Sequence, residues 1–235
     1  MSPDAYYAPP VIWRTHYDRS KSRWKTGLVF MNLLYLAVIS CLGSSLIHHE
    51  KKVDSLALQK KNLEDLKTKE AIYSILKSKG ISLSQGIDIA EVVVTQSNNL
   101  DIPISLILAV MKKESMFNPI AVSSQSALGL MQVHPVTWNE YAAKLKINVS
   151  TYAAFDPVTN VIVATNIIKD LLDYYRKTAT SDSDLWEYVL SAYYAGRTAI
   201  AENGIDSSHR KYVADVNRFK SEFDKKLGEQ SPSVQ

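Results

Sequence analysis

The sequence predicts an all-α fold that includes one membrane-crossing segment, and three observations carry that expectation. No stretch of useful length alternates apolar and polar residues as a half-buried strand would. Apolar residues instead recur three and four apart, as in Val161, Ala164, Ile167, Ile168, Leu171 and Leu172. From Thr26 to Ile47 there is no charged residue, and about 20 apolar residues suffice to cross a bilayer.

Composition narrows the classes of function. A chain of 235 residues allows one or two domains, and a hydrophobic content of 46% supports a real core. The net charge of +3 is mild, and the basic residues are spread without aromatic interleaving, so no nucleic-acid partner is expected. An anionic cell wall or an acidic bilayer surface suits this charge equally well. Cys41 is the single cysteine, so no internal disulfide can form and the redox compartment is not legible.

Residues 1–25 are polar and turn-rich, gather Arg14, Arg19, Lys21, Arg23 and Lys25 toward their end, and read as a disordered basic tail. Residues 26–47 read as the transmembrane helix, with Leu28, Val29, Phe30, Leu33, Leu34, Leu36, Val38 and Ile39 on all sides. The basic flank places the N-terminus in the cytoplasm and the rest of the chain outside it, because long domains translocate regardless of Lys51 and Lys52. Val38-Ile39-Ser40-Cys41 also resembles a lipobox, which would make Cys41 a lipid anchor. The long polar leader and the apolar run past Cys41 through Leu42, Leu46 and Ile47 argue against it.

Residues 48–80 are charged and free of Gly and Pro until Gly80, with Val53, Leu56, Leu63 and Leu66 at helical spacings, and read as a helical stalk. Lys60 and Lys67 fall at core positions of the heptad, so a sustained coiled coil is not expected. Residues 81–226 read as a nearly all-helical domain, and 227–235 as a disordered tail. Helices are expected through Ile87 to Val94, from Pro103 onward, from Thr137 to Leu145, after Asp156-Pro157, and after a capping box formed by Asp184 and Glu187.

Within the Pro103 helix, Ile104, Leu106, Ile107, Leu108, Val110 and Met111 leave almost no polar face. Glu114 lies three, four and seven residues after Met111, Val110 and Ile107, so its carboxyl shares a side with three apolar side chains. Desolvation there would raise its pKa and suit it to general-acid chemistry. From spacing alone, a solvated helix end beside Lys112 and Lys113 fits equally well.

The residues C-terminal to Glu114 decide between these two readings. Glu114-Ser115, then Phe117, Pro119, Ala121 and Ser123, then Ala127, Gly129-Leu130-Met131-Gln132 and Pro135 form an ordered series. It resembles the catalytic domain of the soluble lytic transglycosylases, a family related to goose-type lysozyme. Asp156-Pro157 with Asn160, Ala192-Tyr193-Tyr194-Ala195-Gly196, and Tyr212-Val213 with Val216 resemble later blocks of the same family, so the resemblance spans roughly 85 to 220. It implies a lysozyme-like fold and peptidoglycan glycan strands as the partner. Glu114 would be the catalytic acid, Ser115 would orient the substrate's acetamido group, Met131 would pack on the sugar and Gln132 would bond to it. Tyr193 would bond the acid or the sugar, and Tyr212 would face Glu114. The chain departs from the family at Ser126, commonly Gly, and at Tyr194, commonly Asn.

The mechanism implied is cleavage of the β-1,4 bond between N-acetylmuramic acid and N-acetylglucosamine, leaving a 1,6-anhydromuramic end. No metal signature, phosphate-binding glycine loop or second nucleophile is visible, so no metal and no cofactor are expected. Two alternatives stand beside it. One is a muramidase with a second carboxylate, for which Asp156 and Glu140 are candidates, although Asp156 also reads as a helix cap. The other is a non-catalytic wall-binding component of a secretion system or virion. Wall turnover, secretion or conjugation, and virion entry all fit a membrane-tethered catalytic domain.

Overall fold

The computed structural model describes the backbone of residues 11–229 and the side chains of residues 24–228. The expected tails at 1–10 and 230–235 lie outside the described residues. Eight α-helices are described: α1 (Val11–Lys77), α2 (Leu83–Leu100), α3 (Ile104–Ser115), α4 (Pro135–Lys144), α5 (Pro157–Tyr175), α6 (Asp182–Ala195), α7 (Arg197–Asn203) and α8 (Ser207–Glu229). A 3-10 turn at Thr151–Phe155 precedes α5. Among the described residues the extended backbone amounts to two isolated bridges, Val122 with Leu128 and Leu128 with Val133.

The chain divides into two compact units, 1–61 and 62–235. In the first, α1 begins at Val11, inside the stretch expected to be a disordered tail. The helix is long and apolar enough to cross a membrane, and Leu28, Phe30, Leu34, Leu36 and Ile39 are all exposed along it. Cys41 is exposed on the same helix.

In the second unit the expected boundary near residue 80 shifts. The last turns of α1, read as stalk, bring Ala71, Ile72, Ile75 and Leu76 into the core, where Ile72 and Leu76 are 0% exposed. Their three- and four-residue spacing is the reason, since it puts all four on one helical face.

Each helix starts where the local chemistry calls for it. Ser82 caps α2 by accepting from the Gln85 N–H, and Asp101 closes it in the left-handed region at φ 56°. His134 caps α4, and Asp156 caps α5 by accepting from the Thr159 N–H at 2.9 Å, each with Pro at the first turn. This capping role takes Asp156 out of the candidates for a second carboxylate. The expected capping box at Asp184 and Glu187 is displaced by one turn. Ser181 is the cap, and its hydroxyl accepts from the Asp184 N–H at 3.1 Å.

Helix α3 is the centre of the unit. Every residue from Ser105 to Met111 is buried, as the lack of a polar face requires. It packs along α8 and against α2, α5 packs on α2 and α6, and α6 reaches α8. Lys112 pairs with Glu222 and Lys113 with Asp215, both at 2.7 Å, and Arg218 bridges Asp215 and Glu222. These pairs are partly exposed, so each contributes about 0 to 1 kcal/mol, and the apolar contacts hold the helices together.

Candidate functional site

Helix α3 ends abruptly at Ser115, one residue past Glu114. Met116 and Phe117 both take left-handed backbone, at φ 53° and 68°, and turn the chain away. Phe117 is buried edge-on against Phe223, with centroids 6.1 Å apart, which anchors the turn to α8. Glu114 is thereby left at the boundary between the core and a cleft of about 740 Å³. The cleft is also lined by Gln132, Thr137, Glu140, Tyr141, Asp170, Tyr193, Tyr194 and Arg197.

The Tyr212 hydroxyl donates to Glu114 Oε1. Burial raises the Glu114 carboxyl from 4.5 to about 7, while the Tyr212 hydrogen bond and the Lys113 charge pull the other way. Glu114 is therefore half protonated near neutral pH. Burial beside Glu114 also holds the Tyr193 and Tyr212 hydroxyls well above their ordinary range, so both remain donors. Removing the Tyr212 donor, as in Tyr212→Phe, takes away an interaction that favours the ionised carboxylate. The Glu114 pKa should then rise by about half to one unit, read from the chemical shift of the labelled carboxyl carbon during a pH titration.

The turn beside Glu114 is built from the inside. Asn160, 0% exposed, accepts the Met131 N–H at 2.8 Å and donates to the carbonyls of Leu128 and Ala154 at 3.1 and 2.9 Å. Ser115 Oγ donates to the Leu130 carbonyl at 2.7 Å, and the Tyr193 hydroxyl donates to the Met131 carbonyl at 2.7 Å. Helices α3, α5 and α6 thus all tie to the same short turn. Gln132 sits at φ 54°, with its Nε2 donating to Ala121 O at 3.1 Å and Gly129 O at 2.8 Å.

The structure gathers the six expected residues around this turn, but in different roles. Tyr212 faces Glu114 as expected. Met131 does not line the cleft. Its side chain is 0% exposed, because an unbranched apolar chain at this position fills the core. Ser115 and Tyr193 direct their hydroxyls to turn carbonyls, and Gln132 lines the cleft while its amide nitrogen braces the loop. Ser126, in place of the family's Gly, occupies left-handed backbone at φ 65°, which costs a residue with a Cβ about 1 kcal/mol.

Sequence reasoning missed the far side of the cleft. Asp170 accepts from the Tyr141 hydroxyl at 2.9 Å and pairs with Lys144. Burial works against the Asp170 charge, but the bonds from Lys144 and Tyr141 outweigh it and hold its carboxyl below the usual range. No local pattern marks this cluster, since its members lie on α4 and α5. Among the described residues no group of three His, Cys, Asp or Glu side chains could share a metal ion.

The sequence model of one family, described as the Transglycosylase SLT domain, matches residues 91–215, more than half of the chain. The chain belongs to that family. As an SLT-domain protein it is similar to the membrane-bound lytic murein transglycosylase C of Mannheimia succiniciproducens, at 34% identity over 121 residues, covering 50% of this chain and 34% of the relative. The protein of the same name from Photorhabdus laumondii is 36% identical over 115 residues, covering 48% of this chain and 32% of the relative. The chain spans about a third of the length of these curated relatives. Among solved structures, the SLT-domain fold aligns with the 70 kDa soluble lytic transglycosylase of Escherichia coli at a TM-score of 0.50 and 23% identity, covering 59% of this chain and 24% of that one. An inactive mutant of lytic transglycosylase Slt from Pseudomonas aeruginosa aligns at 0.51 and 22%, covering 62% and 25%. These two likenesses establish the lysozyme-like helical fold.

Proposed function

We propose that the protein is a membrane-anchored peptidoglycan lytic transglycosylase that cleaves the β-1,4 bond between N-acetylmuramic acid and N-acetylglucosamine. The observation that carries this reading is a single partly buried carboxyl, Glu114, raised to about 7 at the edge of a cleft. The relatives' names, which pair lytic murein transglycosylase with membrane attachment, support it.

In this mechanism Tyr212 occupies Oε1 of Glu114, leaving Oε2 to carry the proton. Glu114 donates that proton to the glycosidic oxygen as the bond to C1 of the muramic residue breaks. The substrate's N-acetyl group stabilises the oxocarbenium-like centre. The C6 hydroxyl oxygen then bonds to C1, and Glu114, now a carboxylate, takes the hydroxyl proton. The acid is restored, no water is consumed, and the product ends in a 1,6-anhydro ring. Gln132 orients the sugar through its side-chain oxygen, while Ser115, Met131 and Tyr193 fix the turn that presents Gln132. The apolar stretch of α1 crosses the bacterial inner membrane, with the N-terminus in the cytoplasm and residues 62–229 in the periplasm.

A hydrolytic outcome has a specific basis in Glu140 and Asp170, which also line the cleft. Asp170 is already held by Lys144 and Tyr141, which leaves Glu140 as the acid with freedom to hold a water. Mass spectrometry of muropeptides released from purified peptidoglycan by the full chain in detergent separates the two. Products one water lighter than the hydrolysed form are expected. Reducing-end products would overturn the transglycosylase reading in favour of a muramidase.

A further inference from the structure

Tyr194 stands where the family commonly carries Asn, and the structure gives its ring two unlike faces. One face stacks on Tyr212, with centroids 4.7 Å apart and planes 22° from parallel. Tyr212 itself is 3% exposed and does not line the cleft, so Tyr194 is the layer between it and the cleft. His209 meets the Tyr194 ring edge-on at 6.0 Å, so the ring's orientation is set by two aromatic neighbours. The residue nevertheless remains 52% exposed, and with its inner face covered, that exposure belongs to the outer face and the rim.

Of the three tyrosines lining the cleft, Tyr194 is the exposed one and has its ring stacked from behind. Around it the cleft is lined by Gln132, Thr137, Glu140, Asp170 and Arg197, groups suited to hydroxyls and charges, while the other two lining tyrosines direct their hydroxyls to Asp170 (Tyr141) and the Met131 carbonyl (Tyr193). A binding site of this kind, an exposed aromatic plate beside oriented polar groups, fits a ligand with a flat apolar face and a polar rim. A pyranose ring has that form, with axial C–H bonds on its faces and hydroxyl and acetamido groups around its edge. An Asn side chain at this position could hydrogen-bond to such a ring but could not cover its face.

We propose that the outer face of Tyr194 is a stacking platform for one N-acetylated pyranose ring of the glycan strand beside the Glu114 acid. This rests on the glycan reading of the cleft and adds to it a specificity-determining residue that its family pattern lacks. The inner face braces Tyr212, so the same ring binds substrate and supports the partner of the acid.

The test uses the full chain in detergent carrying Glu114→Gln, which prevents turnover, titrated calorimetrically with the β-1,4-linked tetramer of N-acetylglucosamine. Tyr194→Phe keeps the plate and should bind within twofold of the parent. Tyr194→Leu keeps apolar bulk over Tyr212 but offers no flat face, and should bind roughly tenfold more weakly, the scale of losing one good aromatic contact. If the Leu variant does not fold, Tyr194→Asn carries the same expectation. With Glu114 native, the Leu variant should raise KM for peptidoglycan and leave the alkaline limb of the rate profile in place. Tetramer binding unchanged by Leu or Asn, or a shifted limb with unchanged KM, would overturn the platform while leaving the glycan reading standing. If the Glu114→Gln protein binds no tetramer and the protein with native Glu114 releases nothing from peptidoglycan, the glycan reading itself is overturned, and the platform with it.

Discussion

Glu114→Gln is expected to lose glycan cleavage by about a thousandfold or more, the scale of removing a positioned general acid, and at the same time to make the folded protein more stable above neutral pH. The two effects come from one cause. Burial holds the Glu114 carboxyl at about 7 against 4.5 when exposed. Between those values the native state binds more protons than the unfolded state, so native stability falls as pH rises through the window. Above pH 7 the folded protein carries an ionised group in a poorly hydrated place, at a cost of about 2 to 3 kcal/mol once partial solvent access is allowed for. Gln keeps the shape, accepts the Tyr212 hydroxyl through its oxygen and never ionises. Thermal unfolding of both proteins in detergent should show the variant several degrees higher at pH 8, with the gap closing below about pH 4.5. A variant that is inactive and equally or less stable at pH 8 would mean that Glu114 is not held in a desolvated site. Retained cleavage would sink the mechanism.

Gly129→Ala should cost about 3 to 5 kcal/mol, enough to threaten folding outright. A Cβ at Gly129 would lie 2.2 Å from the Ala154 carbonyl oxygen and 2.5 Å from Asn160 Nδ2, and the backbone is at φ 78°. Neither neighbour can give way. The Ala154 oxygen is backbone, and Asn160 is locked by its bonds to Met131, Leu128 and Ala154. Gly204→Ala is the control, with φ at 71° and nothing within 4 Å of the added carbon. It should cost about 1 to 3 kcal/mol, from a backbone conformation (φ 71°, ψ −170°) that residues with a Cβ rarely adopt and not from any contact. Melting temperatures of the two variants separate contact from conformation. If they fall equally, the close approach of Gly129 to Asn160 is not what holds the turn.

The helices were legible because their apolar residues repeat at the helical period, and α3 was legible as a buried core helix because its polar face is missing. Glu114 was legible for the same local reason, three and four residues beyond Met111 and Val110. Roles that depend on distant partners were not. Asn160 was visible as part of a recurring block, yet its work as the hub of the turn depends on groups 29 and 32 residues away along the chain. Met131 shows the converse. Its place in the Gly-Leu-Met-Gln series puts it in the turn beside Glu114, while the burial of its side chain depends on the helices that close over the turn. Asp170 and Tyr141 meet across two helices, and no spacing rule connects them.

The burial of Ile72 and Leu76 decides where this chain can be parted to free its second unit from the apolar helix. Nothing in the charged run from His48 to Lys79 breaks its helical pattern, so the glycine that follows it, Gly80, reads as the natural place to cut. A fragment starting there would leave behind Ala71, Ile72, Ile75 and Leu76, and the side chains they cover on the rest of the core would open to water. The fragment that keeps its own interior starts at or before Asn62, and a short piece of what reads in sequence as tether travels with the second unit as one of its structural helices.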